Sequence, residues 1–256
     1  MDAKRKPGVF SLIAAFLAGA LIFLLAAALF AALSSLVFHT ALPPFTGMKS
    51  RAVSAEERKR ITVVIDPGHG GMDPGAISET GIREKDLNLV LAKKLRFLLE
   101  SEGVNVLLTR EEDEMLTTQN GRGNAKTRDL LARVEAGEQA ENAVFVSLHM
   151  NALPIEKYRG LQVFYSPNDA RSRVLAKTLQ SKTAEFLEPD NKREIKEAGS
   201  NIFILDRLNV PAVLVECGFL SNREEAELLA SEDFQNRLSV TLAVSILQFI
   251  GEEGEE

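Results

Sequence analysis

A single cysteine, Cys217, stands in 256 residues. One thiol cannot close an internal disulfide, so a cross-linked scaffold is excluded, while the count leaves the redox compartment open. Histidine is scarce too, with only His39, His69 and His149, so any imidazole chemistry is easily enumerated. Positive charge is in deficit: 30 Lys+Arg against 36 Asp+Glu leave a formal net charge of -6. Without a basic excess to neutralise phosphates, no nucleic-acid partner is expected. Between residues 61 and 250 there is neither an internal repeat nor a low-complexity tract. What is present is a globular composition, 45% apolar and 26% charged, which excludes wholesale disorder over a length suited to one or two domains.

The averages conceal an asymmetry. From Val9 to Phe38 no residue is charged, and Leu, Ala, Phe, Ile and Val dominate. At about 1.5 Å per residue, a helix over this segment exceeds the ~30 Å hydrocarbon core of a bilayer. Lys4, Arg5 and Lys6 stand immediately before it, which favours a cytoplasmic amino terminus and an exported remainder. The expected organisation is a basic cytoplasmic end (1–8), a transmembrane anchor (9–38), a linker (39–60), one folded domain (61–251) on the extracytoplasmic side and an acidic tail (252–256). A cleaved signal peptide competes with the anchor, since small residues lie around Ala31 to Ser35; cleavage would leave a secreted protein. Signal peptides have apolar regions of roughly 7–15 residues, however, shorter than this one. His39 falls at the membrane edge, where an interfacial or linker role is expected.

From Ile61 the pattern changes to short apolar runs alternating with amphipathic segments. Ile61–Ile65 is a β-branched run that ends at Asp66-Pro67-Gly68, a strand followed by a turn. Leu87, Val90, Leu91, Leu95 and Leu98 recur at helical spacing between Glu84 and Glu100, with Gly103 as a stop. The spacing predicts further strands at 104–109, 144–149, 161–165, 202–205 and 212–217, and helices at 127–140, 172–187 and 234–250. Nearly continuous apolar strands alternating with helices imply an α/β domain, a three-layer α-β-α sandwich around a mostly parallel sheet. Preceding it is the single N-terminal transmembrane helix.

In open α/β sheets, functional groups collect beyond the carboxyl ends of the strands. His69 follows the first strand, His149 ends the third, and Glu216 lies at the end of the run Ala212–Val215. A catalytic zinc takes three nitrogen or oxygen ligands and keeps a fourth position open. His69 and His149 could supply two, and Glu84, opening a helix after a glycine-rich loop, is a candidate third. Cys217 should point to the face opposite Glu216. Glu216 could then serve as a base. A blander account fits the same residues: hydrogen-bonded or exposed histidines, Glu84 as a partner for the helix dipole, and Gly68, Gly70 and Gly71 serving a tight loop.

Several separated motifs sharpen the choice. Asp66-Pro67-Gly68-His69-Gly70-Gly71, Asp73-Pro74-Gly75-Ala76 and Glu84-Lys85-Asp86 resemble the opening of the zinc-dependent N-acetylmuramoyl-L-alanine amidases. Ser147-Leu148-His149-Met150-Asn151-Ala152 is similar to that family's second histidine motif, and Val215-Glu216-Cys217-Gly218-Phe219-Leu220-Ser221-Asn222 to its terminal glutamate motif. Thr109-Arg110, Asp113 and Arg133 stand in the expected order. The resemblance spans about 61–250.

The resemblance implies that His69, Glu84 and His149 are zinc ligands, that Glu216 is the catalytic carboxylate, and that Asn151 touches substrate or steadies the site. It implies peptidoglycan as substrate, cleaved between N-acetylmuramic acid and L-alanine of the stem peptide. The short architecture and the stretch Leu116–Arg128 look like the sporulation amidases, which implies a step toward muramic-δ-lactam in spore cortex; vegetative wall turnover is the alternative. No helical insertion of the kind that blocks some division amidases stands between His149 and Glu216, and control by an activating protein partner stays open. Cys217 is expected to be a core residue, because both nearby histidines are committed. Two other classes compete: an inactive wall-binding module and a metallopeptidase acting between amino acids.

Overall fold

The computed structural model describes residues 60–116 and 123–253. The expected cytoplasmic end, the anchor and all of the linker except Arg60 lie outside the described residues. Among the described residues, no helix is long and apolar enough to cross a membrane.

Six strands, β1 (Thr62–Pro67), β2 (Asn105–Leu108), β3 (Ala143–Asn151), β4 (Gln162–Tyr165), β5 (Lys196–Glu197) and β6 (Ala212–Phe219), form one sheet in the order β2-β1-β3-β6-β4-β5. Every pairing is parallel except β4 with β6, which is antiparallel. The sheet is therefore mixed, with the expected parallel character at its centre.

Among the described residues, five helices accompany it: α1 (Glu84–Ser101), α2 (Ala125–Gln139), α3 (Arg171–Phe186), α4 (Arg223–Ala230) and α5 (Glu232–Glu253). Strand side chains alternate between faces, and both faces are covered. On one, Val63, Ile65, Val146 and Val215 pack with Leu91 and Leu95 of α1, Leu175 and Leu179 of α3, and Leu242 and Ile246 of α5. On the other, Val64, Phe145 and Leu214 meet Leu130 and Val134 of α2 together with Leu205 and Leu208. Burial on both sides explains why the central strands read as unbroken apolar runs. Each such leucine removed from water contributes roughly 1.5–3 kcal/mol.

The strand expected at 202–205 is instead a series of turns. Its backbone bonds are local, Asp206 N to Ile202 O at 3.1 Å and Leu208 N to Ile204 O at 3.1 Å, rather than part of a ladder. Its apolar residues cap the second core cluster, which is why the segment reads as strand-like. Two elements had no expectation. β5 is only two residues long, and α4 is an eight-residue helix whose N-cap Asn222 accepts from Glu225 N at 2.9 Å. The closing helix runs on to Glu253, into the expected acidic tail.

β1, β3 and β6 finish at one rim of the sheet. Between His149 and Asn151 the β3–β6 register shifts, so His149 pairs with Glu216 and Asn151 with Phe219. A bulge of this kind re-aims the side chains beside it.

Candidate metal and active site

The loop after β1 is fixed from below by Asp66. This fully buried carboxylate accepts from Thr109 Oγ1 at 2.6 Å, Ser147 Oγ at 2.6 Å and Arg133 Nη1 at 2.6 Å. Burial alone would raise its pKa, but the Arg133 charge and the two hydroxyls hold it below the ordinary aspartate value. Arg133 also donates to Pro67 O at 2.9 Å and His69 O at 2.7 Å. Arg110 donates to Pro67 O at 2.9 Å, Gly68 O at 3.1 Å and Lys85 O at 2.9 Å. Two buried guanidiniums thus saturate the carbonyls of the loop. His69 adopts φ 63°, a left-handed conformation that a non-glycine residue holds only at a cost of about 1–3 kcal/mol. The Arg133 bond to its own carbonyl helps to keep it there.

Glu84 is the first residue of α1, which begins without a side-chain cap. It is buried, and its Oε2 accepts from Ala76 N at 2.8 Å while Oε1 accepts from Met150 N at 3.0 Å. Oε1 lies 3.1 Å from His69 Nε2 and 2.9 Å from His149 Nδ1. The two imidazoles are edge to face, with centroids 5.0 Å apart. His69, Glu84 and His149 each offer one ligand atom, all within 4.8 Å of one another, and could hold a metal ion. Burial opposes ionisation of Glu84, yet the bonds and charges of His149 and His69 hold its pKa far below the usual glutamate range. For His69, burial works against protonation, and Glu84 and then Asp73 outweigh it, raising the pKa. His69 Nδ1 lies 2.9 Å from Asp73 Oδ2 but makes no aligned hydrogen bond. Asp73 in turn pairs with Lys126, and its pKa falls to about 2: the Lys126 bond and the nearby His69 imidazole exceed the opposing effect of burial.

Two glycines are demanded by this packing. A Cβ on Gly68 would lie 2.3 Å from His149 Nε2, and one on Gly75 would lie 2.5 Å from Glu84 Oε2.

Glu216 stands opposite His149 in the β3–β6 ladder, so both side chains project from the same face. Its Oε2 is buried with no hydrogen-bond partner among the described residues. Burial pushes its pKa up to about 7; His149 pulls against that shift, Glu84 adds to it, and His69 opposes it weakly. Cys217 is buried in the core cluster on the opposite face, and burial raises its thiol pKa strongly, as expected of an inert core residue. Asn151 lies past the bulge, half-buried, with its carbonyl accepting from Leu220 N at 2.8 Å. Among the described residues, no hydrogen bond ties its carboxamide to the histidine–glutamate cluster.

The structure therefore gathers His69, Glu84, His149 and Glu216 in one place and leaves Asn151 at the rim. Several supporting residues were given no role from the sequence, although all but Asn88 stand in the quoted motifs. Lys85 donates to Gly71 O and Asp113 Oδ2, each at 2.7 Å, and Asn88 donates to Gly68 O at 3.2 Å. Their signal was available: Asn88 is one helical turn from Glu84, and Ser147 shares the strand face of His149.

A strand-end rim carrying a histidine–glutamate–histidine cluster able to hold a metal ion, with Glu216 Oε2 unpartnered beside it among the described residues, is an arrangement suited to an α/β hydrolase. The sequence profile of one family, the N-acetylmuramoyl-L-alanine amidases of the Amidase_3 group, matches residues 63–248, and the chain belongs to that family. The germination-specific N-acetylmuramoyl-L-alanine amidase of Bacillus subtilis (strain 168) is 33% identical over 195 residues, 75% of this chain and 81% of the relative. Among solved structures, the CwlD amidase from Clostridioides difficile in complex with the GerS lipoprotein superposes with TM-score 0.69 at 37% identity, covering 73% of this chain and 97% of that one. The amidase AmiC2 of Nostoc punctiforme gives 0.64 at 32% identity, covering 74% and 97%. The chain is thus an N-acetylmuramoyl-L-alanine amidase, a hydrolase of peptidoglycan.

Proposed function

We propose that the enzyme is zinc-dependent, with His69, Glu84 and His149 as the ligands and Glu216 as the catalytic carboxylate, and that it works in spore cortex maturation. One observation carries the site assignment: two imidazoles converge on a single buried carboxylate oxygen, beside Glu216, whose buried Oε2 has no hydrogen-bond partner among the described residues. The donor set fits zinc, which favours histidine nitrogen and carboxylate oxygen in threes. Gly68 and Gly75 keep the space beside those donors clear.

The chemistry zinc supplies when bound is Lewis acidity, which makes the scissile carbonyl more electrophilic and nearby water a stronger acid. The remaining work falls to the chain itself. Glu216 accepts the proton of the attacking water as the new C–O bond forms at the lactyl carbonyl. It then delivers that proton to the α-nitrogen of L-alanine as the C–N bond breaks. A carboxyl poised near neutrality is suited to both transfers. Asp66, Arg110 and Arg133 do no chemistry; they hold His69 in its left-handed conformation.

The spore-cortex assignment draws on the germination-specific relative in Bacillus subtilis and on the likeness to the CwlD amidase. The second of those was solved with a lipoprotein bound, which supports control of this enzyme by a protein partner. The apolar run 9–38 supports a membrane anchor with the catalytic domain on the extracytoplasmic side. Asn151, at the rim, is assigned to substrate contact.

The test is product identity. Purified peptidoglycan is incubated with wild type and Glu216→Ala, with zinc and after chelation, and released peptides are identified by mass spectrometry. Stem peptides beginning with a free L-alanine amino group, lost in the variant and on chelation, are expected. Cleavage between amino acids, or release that survives chelation, would overturn the reading.

A further inference from the structure

Three strands stand side by side at the catalytic rim, and their pairings align three side chains. His149 pairs with Glu216 across β3–β6, and Gln162 pairs with Glu216 across β6–β4. Paired residues share a face, so His149, Glu216 and Gln162 form one row running outward from the candidate metal site.

Gln162 is buried, and its carboxamide is held at both ends. Nε2 donates to Glu194 O at 2.8 Å, and Oε1 accepts from Arg193 Nη1 at 3.4 Å. Arg193 also donates from Nε to Arg159 O at 3.0 Å, and its guanidinium lies over the ring of buried Phe219 at 4.6 Å from the centroid. Its position is set by packing and by neutral acceptors. Among the described residues no carboxylate pairs with Arg193, and its Nη2 has no partner.

Arg193 lines a cavity of about 710 Å³ beyond the end of α3. Two of the acids there are engaged by main-chain amides. Glu225 accepts from Gly160 N at 2.7 Å and Phe219 N at 2.9 Å, and Glu188 accepts from Leu161 N at 2.9 Å. Asp190 is exposed at the rim, while Arg159 and Lys192 add positive charge beside Arg193. The cavity thus holds an arginine poised for an anion that the protein itself does not provide.

Strand spacing gives the reach. Three steps of about 4.8 Å lead from β3 through β6 and β4 to the segment carrying Arg193, about 14 Å in all. An extended peptide covers that distance in about four residues. The stem peptide of peptidoglycan carries free carboxylates beyond its L-alanine.

We propose that the cavity beside Arg193 is a subsite for a carboxylate of the stem peptide beyond L-alanine, with Gln162 as the positioning residue for the guanidinium. The proposal rests on the amidase reading and adds a determinant of peptide selectivity to it. Full-length wild type, Arg193→Gln and Arg193→Lys are compared on N-acetylmuramoyl-L-alanine and on N-acetylmuramoyl-tetrapeptide. The quantity read is the ratio of kcat/KM for the long substrate to that for the short one. Loss of a charge-assisted bond should lower the ratio roughly tenfold in Arg193→Gln, mainly through KM, with partial retention in Arg193→Lys. A ratio that stays at the wild-type value overturns the subsite even if both rates fall together, because a merely structural role affects both substrates alike. A second measurement needs no variant: wild type should prefer the tetrapeptide with free stem carboxylates over the same peptide with them amidated. Equal turnover of the two also overturns it. If wild type cleaves neither length, the amidase reading fails and takes the subsite with it; failure confined to the ratio leaves that reading standing.

Discussion

Glu84 Oε1 sits between two imidazoles, 3.1 Å from His69 Nε2 and 2.9 Å from His149 Nδ1, while Met150 N donates to the same oxygen. One carboxylate from the start of α1 therefore joins the loop after β1 to the end of β3. Glu84→Ala should weaken zinc binding by at least about 10-fold, judged by what loss of even a supporting residue does to a metal site. It also strands the amides of Ala76 and Met150, at about 1–3 kcal/mol for each buried donor left unmade. Competition with a chromogenic chelator reads the first effect, and thermal unfolding the second.

Glu216→Gln keeps the shape of the side chain and removes the proton-accepting role proposed for it. Activity on peptidoglycan should fall about 10²–10⁴-fold, the usual contribution of a positioned acid–base group. Zinc content, measured by atomic absorption, should match wild type. A variant that retains activity within a few-fold would remove Glu216 from the mechanism.

Gly68→Ala tests the cradle. Its Cβ would stand 2.3 Å from His149 Cε1, so the imidazole must move. The expected outcome is a folded protein by circular dichroism whose zinc affinity and activity are both lost.

Asp66→Asn leaves Arg133 buried without its main counter-charge, and breaking such a pair costs about 3–5 kcal/mol. Asp66 titrates below its ordinary value in the folded protein. Its stabilisation is therefore complete at neutral pH and is lost as pH falls through the lowered folded value. Urea unfolding should show a wide gap between wild type and variant at pH 7, shrinking only below about pH 4, the ordinary aspartate range.

Leu95→Ala empties part of the core between α1 and the sheet, where Leu95 is 0% exposed. It should lower stability by about 2–5 kcal/mol in chemical denaturation. Zinc stoichiometry in the folded fraction should be unaltered.

Much of this was legible in the sequence because it is periodic or local. Leu87, Leu91 and Leu95 announce α1 by spacing, and the β-branched run before Asp66 announces β1 and the turn that presents His69. The four candidate site residues could be named because His69, His149 and Glu216 come at or just past the ends of apolar strand runs, while Glu84 opens a helix after a glycine-rich loop. What could not be read is long-range. Nothing near Asp66 in the chain says that Thr109, Ser147 and Arg133 close around it. Nor does the order of strands reveal that β4 is antiparallel to β6. Ile202–Leu205 misled because apolar turns that plug a core have the same composition as a short strand.

The brevity of β5 has an effect on what the enzyme can mistake for substrate. An open sheet edge invites an extended chain to add itself as another strand through main-chain bonds alone. Here the edge beyond β4 is occupied by two residues, Lys196 and Glu197, both exposed and of opposite charge. A passing peptide finds little bare backbone to zip onto at that side. Within a wall crowded with peptides, admission to the catalytic rim then falls to side chains, which can tell one peptide from another.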